Sequence, residues 1–76
     1  MITAYVLINI EDIDPILVAQ QLNYLEEVDN VHHTTGDYEL ISRVNAENLI
    51  ELRENVLKKI EDIQGVVKTT MLIVED

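Results

Sequence analysis

Hydrophobic and polar positions along this chain recur with two periods, and their succession predicts four strands and two helices. Alternation with period two is typical of strands, because neighbouring side chains point to opposite faces. It marks four segments: Ile2–Ile10, 28–35, 37–44 and 66–74. Apolar positions three and four residues apart are typical of amphipathic helices, and they mark 15–27 and 46–62. The predicted order is therefore β-α-β-β-α-β.

The first predicted strand has two unequal faces. One face is wholly aliphatic and consists of the alternate residues from Ile2 to Ile10. The other face carries Tyr5 and Leu7 between two polar residues, Thr3 and Asn9. If helices cover only the aliphatic face, water would surround Tyr5 and Leu7. We therefore expect a further surface to cover this second face.

Both predicted helices have boundary signals. Asp14 is a good N-cap, and Pro15 then falls at the first helical position, where its missing N–H costs no hydrogen bond. Asn45 is the predicted N-cap of the second helix, and Gly65 follows the end of that helix, as glycine often does. The expected buried stripes are Val18, Ala19, Leu22 and Leu25 in the first helix and Leu49, Leu52, Val56, Ile60 and Ile63 in and after the second.

The central stretch, 31–44, is predicted to be a strand, a turn at Gly36 and a second strand. Glycine takes positive φ without steric cost, and Gly-Asp between two strand-like runs is a turn signal. The strand before the turn is polar, which favours a position at the edge of a sheet. In the strand after it, Tyr38 is predicted on one face, and Asp37 and Glu39 on the other.

This order of elements is that of the α+β, ferredoxin-like fold, a four-stranded antiparallel sheet with two helices on one face. Seventy-six residues make one domain, 1–76, which would be marginally stable alone. An apolar sheet face without helices is a docking surface in so small a chain. We therefore expect at least a homodimer, assembled in the manner of dimeric α+β barrels.

Composition narrows the classes of function. The net charge is −10, from 15 acidic and 5 basic residues, whereas nucleic-acid binding needs a basic face. The absence of cysteine excludes disulfides and thiolate metal sites. No apolar run reaches the roughly 20 residues of a membrane helix, and no charged leader precedes the first strand. We expect a cytoplasmic protein that binds neither nucleic acid nor membrane.

Motifs for catalysis or metal binding are absent from the sequence. There is no glycine-rich phosphate loop, Ser-His-Asp set or Cys-His nucleophile. His32 and His33 are adjacent, so in a strand they point to opposite faces and cannot share a metal ion without distortion. Asp37 and Glu39 form a pair two residues apart, for which a solvating or binding role is favoured over a catalytic one. No cofactor is expected.

Four segments together resemble a known family: Val-Asp-Asn-Val at 28–31, Thr-Gly-Asp-Tyr-Glu-Leu at 35–40, Ile-Gln-Gly-Val at 63–66 and Thr-Thr-Met-Leu-Ile at 69–73. They look like the effector-binding domain, or RAM domain, of the Lrp/AsnC transcription regulators, and the resemblance covers nearly the whole chain. Full-length members carry a helix-turn-helix domain in front of it, and this chain begins with the first strand. The resemblance therefore implies a stand-alone RAM protein.

In that family the domains pair through their sheets, the dimers assemble into rings, and small effectors, mostly amino acids, bind between dimers. The effector-binding residues that the resemblance implies are Gly36, Asp37, Tyr38, Glu39, Thr69, Thr70 and Met71. Asp37 or Glu39 would accept from the ammonium of an amino acid, and backbone N–H groups near Gly36 would donate to its carboxylate. Most members have Asp where Glu39 stands, which leaves the choice of ligand open.

The implied function is a non-enzymatic amino-acid-binding module in transcription regulation, with full-length Lrp/AsnC regulators as further partners. Three alternatives stay open. An ACT-like amino-acid-binding module has the same element order, although its ligand loop normally carries a glycine that 11–14 lacks here. A small enzyme of the dimeric α+β barrel type would use the uncovered sheet face as a cavity, with candidates Tyr5, Asn9, His32, His33 and Arg43. A structural oligomer would bind no ligand.

Overall fold

A computed structural model describes residues 1–75. Its elements are β1 (Ile2–Ile10), α1 (Pro15–Asn23), β2 (Val28–His33), β3 (Leu40–Ala46), α2 and β4 (Val66–Ile73). Helix α2 has three consecutive segments, α-helical Leu49–Glu51, π-helical Leu52–Leu57 and α-helical Lys58–Glu61. The predicted order of strands and helices is confirmed. None of the helices within 1–75 is long and apolar enough to cross a membrane.

The four strands form one antiparallel sheet in the order β2-β3-β1-β4. Strand β1 therefore lies in the interior of the sheet, where Ile8 pairs with Leu40 of β3 and with Thr69 of β4. Strand β2 is at an edge, as its polar composition predicts. Between Asn9 and Ile10 the register of β1 against β4 shifts, which is the irregularity of a β-bulge.

Both helices pack on one face of this sheet, and the core lies between the two layers. The aliphatic residues of β1 that point to this face are buried, as predicted from their alternation. The fully buried members of the core are Ala4, Val6, Ile8, Val18, Leu22, Leu40, Val44, Leu52, Val56 and Ile60. Ser42 of β3 is buried among them, and its Oγ has no hydrogen-bond partner within the described chain.

The hairpin after β2 is longer than predicted. Strand β2 ends at His33 and β3 begins at Leu40, so residues 34–39 form a loop, and the prediction that Tyr38 and Glu39 lie in a strand was wrong. The loop is closed by Thr34 N–H, which donates to Glu39 O at 3.1 Å. The Thr34 hydroxyl also donates to Tyr38 O at 2.7 Å. Such local side-chain bonds compete with strand pairing, and Gly36 at φ +108° turns the chain.

The first helix begins as predicted and ends earlier. Asp14 caps it through Oδ1, which accepts from Ile16 N–H at 2.9 Å, and Pro15 is the first helical residue. The helix ends at Asn23 rather than near residues 26 or 27, because Tyr24 is already its C-cap. Leu25, predicted as part of the helical stripe, lies beyond the helix and is half-buried. Strand β4 likewise ends at residue 73 rather than 74.

The N-cap of the second helix is Asn48, not Asn45 as predicted. Asn48 Oδ1 accepts from Glu51 N–H at 2.8 Å, an ordinary capping bond. Asn45 is a residue of β3, where its Oδ1 accepts from the Thr3 hydroxyl at 2.7 Å. Both residues are asparagine, and pairing with Thr3 in the neighbouring strand keeps the first of them extended.

Gly65 joins α2 to β4 at a position that admits no side chain. Its φ is +99°, and a Cβ placed on it would lie 1.9 Å from Cγ2 of Ile13. Its carbonyl accepts from Glu11 N–H at 2.9 Å, which ties the start of β4 to the loop after β1. The glycine predicted after the second helix is therefore required by both backbone geometry and close packing.

Candidate functional site

The loop 34–39 lies beside the end of β1 and places the side chain of Tyr38 on the open face of the sheet, the face that carries no helices. It joins the end of β2 to the start of β3, and the side chain of its Tyr38 extends past β1, so that the Tyr38 hydroxyl lies 3.2 Å from the hydroxyl of Thr70 on β4. These two predicted site residues are 32 positions apart in sequence. Thr70 faces the same side as Leu7, its partner in β1. The structure thus joins the hairpin motif to the threonine-rich last strand.

Two side-chain bonds attach the loop to the end of β1. Asn9 Nδ2 donates to the carbonyl oxygen of Asp37 at 2.6 Å. Glu39 Oε1 accepts from the backbone N–H of Ile10 at 2.5 Å. The backbone on both sides of Tyr38 is therefore held against the strand, while the tip of the loop projects from it.

The tip of the loop consists of Thr35, Gly36 and Asp37, all of them exposed. No atom lies within 4 Å of the place that a Cβ of Gly36 would occupy. Within 1–75, the backbone N–H groups of 35–38 donate to no protein acceptor. Accessible N–H groups favour an anion, and the Asp37 carboxylate beside them favours a cation. A small zwitterion offers both charges.

Two other predicted residues lie on the opposite side of β4. Thr69 and Met71 pair with β1 residues that face the helices, whereas Thr70 faces the open side. The Thr69 hydroxyl donates to Glu61 Oε2 at 3.1 Å, and Met71 packs against the core. Of the three residues predicted from β4, the structure brings only Thr70 to the loop of the same chain.

The family model described as Lrp/AsnC ligand binding domain matches residues 3–75. The chain belongs to this family. Three solved structures show how closely the fold agrees. TTHA0845 from Thermus thermophilus has 30% sequence identity and a TM-score of 0.89, over 100% of this chain and 95% of that one. FFRP-DM1 has 25% identity and a TM-score of 0.91, over 99% and 100% of the two chains.

AsnC from Escherichia coli has 25% identity and a TM-score of 0.90, over 99% of this chain and 51% of AsnC. The chain thus spans about half the length of that protein. A search of curated proteins found no match. The ferredoxin-like fold and the membership of the Lrp/AsnC ligand-binding family, both predicted from the sequence, are confirmed.

The open face of this Lrp/AsnC ligand-binding domain is partly apolar. Tyr5 is 37% exposed and Leu72 is 56% exposed, and Leu7 and Ile41 are half-buried. Tyr5 pairs with Leu72 across β1 and β4, and Leu7 pairs with Ile41 across β1 and β3. The apolar residues therefore form one continuous surface across three strands, as the uneven faces of the first strand predict.

The polar residues named for a barrel-type enzyme are spread over three strands of the domain, and not all of them face the open side. Asn9 is bonded to the loop at one end of β1. Arg43, opposite Tyr5, has its Nε 3.8 Å from Asp29 Oδ2. Of the two histidines, His33 pairs with a β3 residue that faces the helices, and His32 pairs with Ile41 of the open face. Within the described chain no three His, Cys, Asp or Glu side chains are grouped to hold a metal ion.

Asn9 is the residue whose role sequence reasoning missed. Its side chain donates to Asp37 O, 28 positions away. A polar residue among apolar neighbours near a strand end was the signal, and it did not identify the partner. The bond made by Glu39 to Ile10 N–H, 29 positions away, had no local signal.

Proposed function

We propose that this domain is a non-enzymatic module that binds an amino acid at the hairpin loop and acts in transcription regulation as a homo-oligomer. The single observation that carries the proposal is the exposed tip of the loop. There, the N–H groups of 35–38 donate to no acceptor within residues 1–75, the Asp37 carboxylate is exposed, and Tyr38 of the same loop contacts Thr70. Membership of the Lrp/AsnC ligand-binding family supports the same assignment.

The chemistry of an amino acid suits this tip. Its ammonium would form a charge-assisted bond with a carboxylate of the loop, and its carboxylate would accept from the backbone N–H groups of 35–38. The ring of Tyr38 would form a wall of the pocket. The loop is open to solvent in one chain, so a second dimer would have to close the site.

The proposed site keeps all the residues predicted for it: Gly36, Asp37, Tyr38, Glu39, Thr69, Thr70 and Met71. Thr69 and Met71 face away from the loop of their own chain. A role for these two residues therefore requires contact with a loop from a neighbouring subunit.

Assembly is proposed to begin with pairing of the open faces, because this would remove Tyr5 and Leu72 from water. The domain itself is not proposed to bind DNA, since its net charge is −10 and phosphate binding needs a basic face. Full-length Lrp/AsnC regulators would carry the same open sheet face in their own ligand-binding domains, and they are the proposed further partners. Failure of such regulators to co-purify with the domain would count against that partner.

Light scattering and thermal unfolding, at low and moderate salt, test the main proposal. Each common amino acid is added separately to the wild type, to Asp37→Ala and to Glu54→Ala, which removes an exposed carboxylate on α2 far along the chain from the loop. We expect a dimer or larger assembly, with one amino acid raising Tm or changing the mass in the wild type and Glu54→Ala but not in Asp37→Ala. A mass and Tm indifferent to every amino acid would contradict the proposal.

A further inference from the structure

Strand β3 separates from β1 before β1 ends, and this leaves one backbone donor of β1 without a strand partner. Their last register pair is Ile8 with Leu40, and Glu39 N–H still donates to Ile8 O at 3.0 Å. In a continued antiparallel ladder, the next group of β1 on this side would be Ile10 N–H. No strand residue lies opposite it, because residues 34–39 have become the loop.

The carboxylate of Glu39 supplies the missing acceptor. Its Oε1 lies 2.5 Å from Ile10 N, in place of a strand carbonyl. Ile10 is only 8% exposed, and a buried backbone N–H without an acceptor is strongly unfavourable. We therefore assign this oxygen of Glu39 a structural role, as the acceptor for Ile10 N–H.

Asn9 holds the other side of Tyr38. Its amide donates to Asp37 O at 2.6 Å, so it restrains the backbone of Asp37 and leaves that side chain alone. The Asp37 carboxylate, by contrast, accepts no hydrogen bond from any of residues 1–75. The two carboxylates of the loop thus differ, because one is an anchor and the other is available.

We propose that Asn9 and Glu39 are positioning residues of the loop, and that Asp37, not Glu39, receives the ammonium of the amino-acid ligand. This inference rests on the proposed function. It assigns the Glu39 carboxylate to anchoring the loop and the Asp37 carboxylate to binding the ligand. Asn9 and Glu39 fix the backbone on both sides of Tyr38. The tip between Thr35 and Asp37 then presents its N–H groups and its free carboxylate in one geometry.

The anchoring half is tested without ligand, by amide hydrogen exchange and NMR relaxation. Glu39→Ala removes the acceptor, so the Ile10 amide should exchange about tenfold faster or more, relative to amides of the core. Glu39→Gln retains an acceptor oxygen at the same reach and should leave the Ile10 rate within about threefold of wild type. Asn9→Ala should lower the backbone order parameters of residues 36–38 while those of β1 are unchanged. Unchanged exchange at Ile10 in Glu39→Ala would overturn the inference.

The ligand half compares two variants that each remove one charge from the loop. The probe is whichever common amino acid shifts the Tm of the wild type, and its Kd is measured by calorimetry. We expect Asp37→Asn to weaken binding about tenfold or more and Glu39→Gln to weaken it by less than about threefold. The reverse order would place the ammonium on Glu39 and overturn the inference. Absence of binding to the wild type would refute the proposed function instead, and the exchange data would still decide the anchoring.

Discussion

The two faces of the sheet differ in how the chain covers them. On the helix side, Val6 and Ile8 of β1 are completely buried, and the side chains of both helices pack on them. On the open side, Tyr5 of the same strand is 37% exposed, and Leu72 beside it is 56% exposed. Strand β1 therefore contributes to a fully buried core on one side and to an exposed, partly apolar surface on the other.

The contrast teaches that stability and the proposed assembly depend on separate residues in this domain. The helix side contains the packing that a single chain needs, because burial of its apolar side chains opposes the entropy of the unfolded chain. The open side offers apolar area that only a second surface can bury. The side chain of Tyr38 in the hairpin loop reaches Thr70 on this open side, so the proposed ligand site borders the proposed interface.

The largest expected effect is on the helix side. Ile8→Ala removes a fully buried side chain and should lower the free energy of unfolding by about 2–5 kcal/mol, because a cavity remains. Most of a small domain's stability would be lost. Urea denaturation followed by circular dichroism measures the change. A loss below about 1 kcal/mol would show that the two faces do not differ as described.

The second-largest expected effect is on the open side of the sheet, where a substitution should change the mass of the proposed assembly. Leu72→Lys places a charge in the proposed interface and should halve the mass in light scattering, since about 1.5–3 kcal/mol of apolar burial is lost per Leu. Ile50→Lys is the matched control, because Ile50 is 70% exposed on α2 and lies on the other side of the molecule from the proposed interface. Equal masses for Leu72→Lys and wild type would contradict the proposed pairing of open faces.

A smaller change on the helix side should be stabilising. Ser42 is fully buried, and its Oγ lacks a partner among residues 1–75. Ser42→Ala removes this unsatisfied hydroxyl and should raise the free energy of unfolding by about 1 kcal/mol. Thermal and urea unfolding of the two proteins decide the sign. A destabilised Ser42→Ala would indicate that the hydroxyl bonds to a buried water or carbonyl in solution.

The smallest effect is electrostatic and lies at the rim of the helix layer. A hydrogen bond from its own backbone N–H lowers the pKa of Glu27 below its ordinary value of 4.5, burial opposes this shift, and Lys59 Nζ at 3.1 Å lowers the pKa further. Because the folded state lowers this pKa, the stabilisation is present above the ordinary value and is lost as the pH falls through the folded pKa.

Glu27→Gln should therefore reduce stability by less than about 1 kcal/mol near neutral pH, because Lys59 is 42% exposed and solvent screens the pair. At a pH below the folded pKa, the variant and the wild type should unfold at the same urea concentration. Asp62→Asn, an exposed α2 C-cap residue, serves as a control for general charge effects. A difference between Glu27→Gln and wild type that persists in acid would contradict this account.

Much of the fold could be predicted because its signals are local. The bounds of β1 match the alternation of its residues, and Asp14 with Pro15 marks the start of α1. Where two similar signals compete, the prediction failed. Asn45 and Asn48 are both good caps, and the choice depended on pairing of Asn45 with Thr3 in another strand.

The candidate site was predictable only in part, for the same reason. The motif around Gly36 and the threonines of the last strand were named from the sequence through a family resemblance. Their approach through Tyr38 and Thr70 required the sheet order β3-β1-β4. The resemblance treated Asp37 and Glu39 alike, whereas the structure bonds one of them to Ile10 N–H and leaves the other exposed.

By itself, then, the sequence determined the element order, the buried face of β1, the edge position of β2 and the turn glycines, because each depends on periodicity or on backbone conformation near the residue. Tertiary structure alone decided where the hairpin loop would lie and which carboxylate would be engaged. Those outcomes depend on hydrogen bonds from Asn9 and Ile10 to residues 28 and 29 positions away. No local pattern encodes a partner at that distance, because the partner is set by how the strands align.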